Sequence, residues 1–130
     1  MKILVGFNGY FVSKDAVNLA IKYAKAFNAS VDIVTMLEKG HALHLNDMEK
    51  ADNALDEARE AFEELAIPCR TRIITNQLSA GENLVGFAED NDIDMLIIGI
   101  KRRSKVSKIL LGSTAQYVIL NASCPVLSIQ

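Results

Sequence analysis

Short apolar runs alternate with longer amphipathic stretches along this 130-residue chain. The short runs are typical of strands, and they occupy residues 3–7, 31–37, 70–75, 94–99 and 125–129. Between these runs, apolar residues recur every three or four positions, which predicts four helices. We expect the helices to begin at the capping residues Ser13, Asn46, Ser79 and Gly112.

The strands differ in how uniformly apolar they are, and the difference predicts their places in a sheet. Residues 94–99 form the most apolar run, as expected for a strand that is covered on both faces. Residues 70–75 are mixed and contain two arginines, which favours an edge strand. In the helices, we expect the periodic apolar residues to face the sheet, including Phe27, Leu65 and Ile119.

The order of elements is βαβαβαβαβ, with no internal repeat, linker or low-complexity tract. Strands that alternate with helices pair in parallel through right-handed crossovers. The sequence therefore predicts one α/β domain over residues 1–130, with a single open, mostly parallel five-stranded sheet, helices on both faces and a Rossmann-like architecture. Such sheets bind ligands at the carboxyl ends of their strands, so the first, second and fourth strands are the ones to search.

Composition and charge exclude several classes of function. The chain has 14 basic and 16 acidic residues, so it lacks a broad positive field for nucleic acid or a membrane surface. No apolar run approaches the roughly 18 residues of a membrane span. The two cysteines, Cys69 and Cys124, are expected to be reduced thiols rather than a disulfide or metal site. Cytoplasm is the expected compartment.

The segment after the fourth strand concentrates positive charge. Five cations fall within eight residues, and the rest of the chain has nine basic against 16 acidic residues. The five are Lys101, Arg102, Arg103, Lys105 and Lys108. Gly112, Ser113 and Thr114 then open a helix, whose free N–H groups and hydroxyls favour an anion such as phosphate. A solvated basic loop that ends at an ordinary helix cap explains the same residues equally well.

The spacing of glycines around this segment resembles the universal stress protein family. Gly99 is followed, after two residues, by Arg102, and nine residues later by Gly112 and Ser113, as in the family motif G-x-x-G, nine residues, G-S/T. Residues 2–6, 94–99 and 124–127 also resemble the family's first, fourth and closing segments, so the resemblance covers the whole chain. It implies strand order 3-2-1-4-5, dimers through the last strand and, in some members, ATP in the crevice after strands one and four.

The resemblance also implies roles for individual residues. Gly99, Gly112 and Ser113 match the positions that cradle phosphate, and Arg103 and Thr114 adjoin them. Arg102 replaces the second glycine of the motif and offers a forked set of donors. Asn8 stands where an acidic residue often reaches the ribose, and Met36 stands where family members meet adenine.

We therefore expect a small cytoplasmic stress-response protein that binds ATP or AMP, with Mg²⁺ as an accompanying ion, and acts as a dimeric regulator. The apolar edge of residues 126–129 favours the homodimer. No catalytic residue is identified, so we do not expect an enzyme, although slow ATP hydrolysis is compatible with such a site. The alternative is a nucleotide-free dimeric interaction module whose basic loop 101–108 docks an acidic partner.

Overall fold

The computed structural model describes residues 1–9, 12–37, 45–100 and 111–130. Strands and helices alternate through the described chain, as the apolar pattern predicts. The elements are β1 (Lys2–Asn8), α1 (Lys14–Phe27), β2 (Ser30–Met36), α2 (Leu45–Glu63), β3 (Cys69–Ile74), α3 (Ala80–Asp90), β4 (Met95–Gly99), α4 (Ser113–Asn121) and β5 (Val126–Ile129). None of the described helices combines the length and apolarity that a membrane crossing requires.

The five strands form one open sheet in the order β3-β2-β1-β4-β5, and every neighbouring pair is parallel. This confirms the predicted fold class, with the sheet wholly rather than mostly parallel. Strands β2 and β3 lie on one side of β1, and strands β4 and β5 lie on the other side. The strand order therefore reverses between β1 and β4, and the crevice of such a sheet opens at the carboxyl ends of these two strands.

Two apolar cores lie on opposite faces of the sheet. The first lies under α1 and α2 and contains Phe62 and the alternate β1 residues Ile3 and Val5. The second lies under α3 and α4 and contains Leu4 and Leu84. The alternation follows from the two-residue repeat of a strand. It confirms that helices cover both faces.

Three of the four predicted capping residues, Ser13, Ser79 and Gly112, are the N-caps of α1, α3 and α4. Ser13 Oγ accepts a hydrogen bond from the Ala16 N–H at 3.3 Å, which caps α1. Ser79 and Glu82 form a reciprocal capping box at the start of α3. The prediction for Asn46 is wrong, because α2 begins at Leu45 and Asn46 therefore lies inside the helix rather than at its cap.

Three apolar residues expected in the buried stripes are exposed. Phe27 is the last residue of α1 and is 54% exposed, with its ring stacked on Tyr23. Leu65 is exposed because α2 ends before it, at Glu63. Ile119 is exposed because only a narrow stripe of the short helix α4 is buried. Helical spacing alone does not show where a helix ends or how much of its surface the sheet covers.

Candidate functional site

The carboxyl ends of β1 and β2 lie side by side at one edge of the sheet. Asn8 ends β1 and is in register with Met36, the last residue of β2. The side chain of Asn8 is exposed, so its amide is available at the mouth of the crevice. Gly99 ends the neighbouring strand β4 and is also exposed. The structure thus brings these three predicted residues to the same edge.

The turn after β1 is fixed to the end of β2. The Gly9 N–H donates to the Met36 carbonyl at 2.8 Å, and Thr35 Oγ1 donates to the Gly9 carbonyl. Gly9 has a φ of 84°, a conformation that glycine adopts without strain. Sequence reasoning missed Thr35, although a hydroxyl inside an apolar strand is a readable signal. Its role is to hold the backbone that carries Asn8.

Met36 contributes to the core on the α3 and α4 face. It is 3% exposed and packs in the same cluster as Leu84 and Val85. Its carbonyl is already engaged by the Gly9 N–H. The side chain therefore forms part of the floor beneath the crevice, and its contact with a base stays a prediction.

The start of α4 has backbone donors that no side chain of the described residues caps. Gly112 is the N-cap, with φ −61° and ψ 160°, and it has no side chain to accept a hydrogen bond. Gln116 N–H donates to the Gly112 carbonyl at 3.1 Å, which is the first bond of the helix. The N–H groups of Ser113 and Thr114 precede this bond and have no partner within the helix. These N–H groups point out of the helix start, and the same two residues each carry a hydroxyl group.

The charge around this helix start differs from that of the other described helices. Asp15, Asp47 and Glu82 place a carboxylate in the first turn of α1, α2 and α3 respectively, where it complements the helix dipole. The first turn of α4 has no acidic residue. A bound anion would supply at α4 the negative charge that the chain itself supplies at the other three helices.

The remaining predicted site residues lie beyond what the structure describes. Arg102 and Arg103, together with the rest of the basic segment 101–108, are outside the described residues. Within the described ranges, no group of three or more His, Cys, Asp or Glu side chains is placed to hold a metal ion. Mg²⁺ therefore has no protein-only cage among these residues, and its presence with a nucleotide stays a prediction.

The two cysteines are free thiols, as the composition predicts. Burial, with a smaller contribution from the nearby Asp32 carboxylate, raises the pKa of the Cys69 thiol to about 12. Burial also raises the pKa of Cys124. A thiol that remains protonated is a poor nucleophile. Neither cysteine therefore adds covalent chemistry to the crevice.

The structure is a Rossmann-like α/β domain with one open, wholly parallel sheet. The strand order reverses beside the uncapped start of α4. Domains of this kind bind ligands at the carboxyl edge of the sheet. A family model described as the universal stress protein family matches residues 1–130. The chain belongs to the universal stress protein family.

Individual relatives agree with this assignment. Universal stress protein MJ0531 of Methanocaldococcus jannaschii is 30% identical over 140 residues, which cover 99% of this chain and 81% of that protein. A universal stress protein from Archaeoglobus fulgidus has the same fold, with a TM-score of 0.84 and 23% identity, covering 100% of this chain and 93% of that one. A second Archaeoglobus fulgidus structure, solved in complex with dAMP, has a TM-score of 0.79 and 24% identity, covering 100% and 98%.

Proposed function

We propose that this protein binds an adenine nucleotide, ATP or AMP, in the crevice at the carboxyl ends of β1 and β4. The observation that carries the proposal is the start of α4. Gly112 leaves the first N–H groups of the helix uncapped, and no carboxylate occupies the first turn. Phosphate oxygens accept from such groups and interact favourably with the positive end of the helix dipole.

A relative supports the choice of adenine. The Archaeoglobus fulgidus protein that shares this fold was solved with dAMP bound. Its ligand combines an adenine base with a phosphate, and an uncapped helix start is suited to the phosphate. In this chain we assign the phosphate contacts to the backbone and hydroxyl groups of Ser113 and Thr114, with Gly99 leaving room for the ligand at the end of β4.

We assign the contacts with the sugar and the base to residues at the ends of β1 and β2. The exposed amide of Asn8 has the donors and acceptor to hydrogen-bond a ribose hydroxyl. Met36 supplies an apolar floor for the base. In the same proposal Arg102 and Arg103 add charge-assisted hydrogen bonds to the phosphates.

The proposed biological role is that of a cytoplasmic, dimeric regulator in a stress response rather than an enzyme. Phosphoryl transfer requires a positioned base or water-orienting group and usually a bound Mg²⁺. The proposal assigns no such group to this site, so binding itself is the signal. Dimerisation is assigned to the free edge of β5, which is uncharged and half-buried at Val126, Leu127 and Ile129.

Thermal unfolding with ATP, AMP or inorganic phosphate tests the proposal, with Ser113→Glu as the variant. The new carboxylate would lie where a phosphate is expected, so the stabilisation by ATP should be lost. Ser123→Glu is the matched control, because Ser123 is also exposed and lies between α4 and β5, away from the carboxyl edge. A ligand at about 100 times its Kd stabilises a protein by about 2.7 kcal/mol, which is easily measured.

The outcomes separate the two candidate functions. A shift with ATP that persists in Ser123→Glu and disappears in Ser113→Glu supports nucleotide binding at α4. A flat response to every nucleotide contradicts it and favours the interaction module, in which the basic segment 101–108 docks an acidic partner. An equal shift with phosphate alone would contradict the assignment of adenine.

A further inference from the structure

The edge of the sheet formed by β3 has backbone groups that pair with no other described strand. Within the described chain β3 pairs only with β2. The Val31 N–H donates to the Pro68 carbonyl at 2.9 Å, and the Leu37 N–H donates to the Ile74 carbonyl at 3.0 Å. Backbone groups two residues apart in a strand point the same way. The even-numbered residues therefore face β2, whereas the N–H and C=O groups of Cys69, Thr71 and Ile73 point outward.

Two arginines stand on one face of this edge. Arg70 and Arg72 are two residues apart and both exposed, so their side chains project from the same face of β3. Helix α2 packs against β3 on the opposite face. The arginine face borders α3 instead. A groove of about 380 Å³ lies at this edge, and its lining includes Phe87 and Asn91 on the arginine face and Arg59 of α2 on the other.

Both guanidinium groups are held in place by neighbours. Arg70 donates from Nε and Nη2 to the two carboxylate oxygens of Asp32, at 2.8 and 3.1 Å, and the Asp32 side chain is only 8% exposed. The Arg72 guanidinium lies 5.7 Å from the centre of the Phe87 ring and forms no ion pair with any described residue. Arg72 therefore presents an uncompensated, partly oriented positive charge beside the open backbone.

A second copy of this chain does not suit the edge. Antiparallel pairing of two β3 strands about a two-fold axis would place the arginines of one copy opposite those of the other, on the same face of the joined sheet. Like charges directly opposite each other destabilise a strand pair. The β5 edge at the other end of the sheet has no charged residue and lacks this barrier. The β3 edge instead suits a strand of the opposite charge.

We propose that β3 accepts an extended acidic peptide segment as a sixth strand of the sheet. Its backbone pairs with the outward groups of Cys69, Thr71 and Ile73, and two acidic side chains at positions i and i+2 lie over Arg70 and Arg72. Apolar residues between them face the α2 side, where Cys69 and Ile73 are half-buried. Main-chain hydrogen bonds supply affinity in this mode of recognition, and the alternate side chains supply specificity.

A defined peptide tests the inference. The probe is fluorescein-labelled Ser-Val-Glu-Val-Glu-Val-Ser-amide, which reads the same in both directions and so favours neither strand orientation. The control peptide has lysine in place of both glutamates. We expect saturable binding of the glutamate peptide in fluorescence anisotropy, and at least tenfold weaker binding of the lysine peptide.

Two variants separate charge from strand pairing. Arg72→Glu should weaken the glutamate peptide at least tenfold, whereas Lys22→Glu, an exposed charge reversal on α1 across the sheet, should not. Thr71→Pro removes one outward N–H without removing a bond to β2, and it should abolish binding. Since a proline inside a strand also lowers stability, amide hydrogen exchange of the unaltered protein is measured too. The peptide should slow exchange at Cys69, Thr71 and Ile73.

Specific results overturn the proposal. Equal binding of the two peptides would mean that the arginines do not select an acidic partner. Their role would then be to prevent other strands from pairing with this edge. Binding that is lost in Arg72→Glu without slower exchange at the three outward amides would be charge attraction without strand addition. Peptide-induced protection at β5 instead of β3 would place the partner at the other edge.

Discussion

Replacing Gly112 with aspartate should stabilise the protein without ligand and weaken its binding of nucleotide. The two effects have opposite signs, so they can be measured separately. Gly112 is the N-cap of α4 and lacks a capping side chain, while its φ of −61° and ψ of 160° suit any residue. A Cβ atom at this position would meet no atom of the described residues within 4 Å. The Gly112→Asp carboxylate is therefore free to accept from the first-turn N–H groups. It would occupy the place that we assign to a phosphate.

The expected gain in stability is about 1 kcal/mol. An aspartate cap exceeds glycine by only a few tenths of a kcal/mol, or about 0.3. A negative charge at an exposed helix start adds about 0.3–1 kcal/mol, and less in high salt. Removing glycine's freedom from the unfolded chain adds about 0.4–1 kcal/mol. Allowing for incomplete additivity, we expect the Tm to rise by about 4 °C.

The expected loss of nucleotide affinity is much larger. A carboxylate about 5 Å from one phosphate charge, at an effective dielectric constant of about 20, repels it by about 3 kcal/mol. This corresponds to about a hundredfold weaker binding. At an ATP concentration of about 100 times the wild-type Kd, ligand stabilisation would fall from about 2.7 to about 0.4 kcal/mol.

The assay is thermal unfolding of both proteins, with and without ATP, and Gly86→Ala serves as the stabilised control. Gly86 lies inside α3, and a Cβ there also meets nothing within 4 Å, so alanine should raise stability by about 0.5–1 kcal/mol without touching the crevice. Gly86→Ala should keep the full ATP shift. If Gly112→Asp keeps it too, the phosphate does not bind at α4. If Gly112→Asp is less stable than wild type without ligand, the uncapped geometry is wrong.

Four further predictions concern the sheet and a thiol. Gly6→Ala should lower the free energy of unfolding by about 1–3 kcal/mol in urea titrations, because the new Cβ would lie 2.5 Å from Leu84 Cδ2. An unchanged midpoint and slope of the urea titration would refute the close packing. Because its pKa is raised to about 12, Cys69 should react with iodoacetamide at pH 8 about a thousandfold more slowly in the native protein than in the urea-unfolded protein. Above pH 8 the rate for the native protein should rise about tenfold per pH unit. Equal native and unfolded rates would contradict the burial of the thiol. Because of the same raised pKa, the folded protein releases the Cys69 proton only at a higher pH than the unfolded protein does. The free energy of unfolding should therefore fall as the pH rises above about 9. We expect wild type to give a dimer mass in light scattering and Ser128→Pro to give a monomer mass, since bonds to the Pro125 and Ile129 carbonyls turn the Ser128 N–H toward the free edge. A variant that is as dimeric as wild type would exclude pairing through β5.

The alternation of elements was predictable from the sequence because it depends on local periodicity. The apolar residues 95–98 lie in β4, which is between β1 and β5 in the sheet. The mixed run at 70–75 corresponds to β3 at an edge. Periodicity indicates parallel pairing but leaves the strand order open. The order 3-2-1-4-5 came from the family resemblance, and the structure confirms it.

The errors arise where local pattern meets tertiary context. Asn46 has the chemistry of a helix cap, but α2 already begins at Leu45. Phe27 and Leu65 continue a helical spacing past the point where the sheet covers the helix. The Asp32–Arg70 pair joins two strands and depends on their register, so nothing near either residue in sequence reveals it.

The candidate site was partly predictable for the same reason. The turn at Asn8 and Gly9 and the helix opening at Gly112 are local signals, and the structure brings both to the carboxyl edge. The hydrogen bond from Thr35 that fixes the first turn crosses from β2 to the residue after β1, and it follows from pairing rather than from sequence.

The net charge of −2 conceals the charges that distinguish the proposed sites. Carboxylates occupy the first turn of α1, α2 and α3, where they complement each dipole, and α4 alone among the described helices lacks one. Arginines line the edge at β3, and no charge lines the edge at β5. Because a helix start without a carboxylate favours an anion and an uncharged strand edge favours self-pairing, the missing charges point to a ligand and to a second copy. The charge of Arg72, which no described residue pairs with, points to a third, acidic partner on a separate surface.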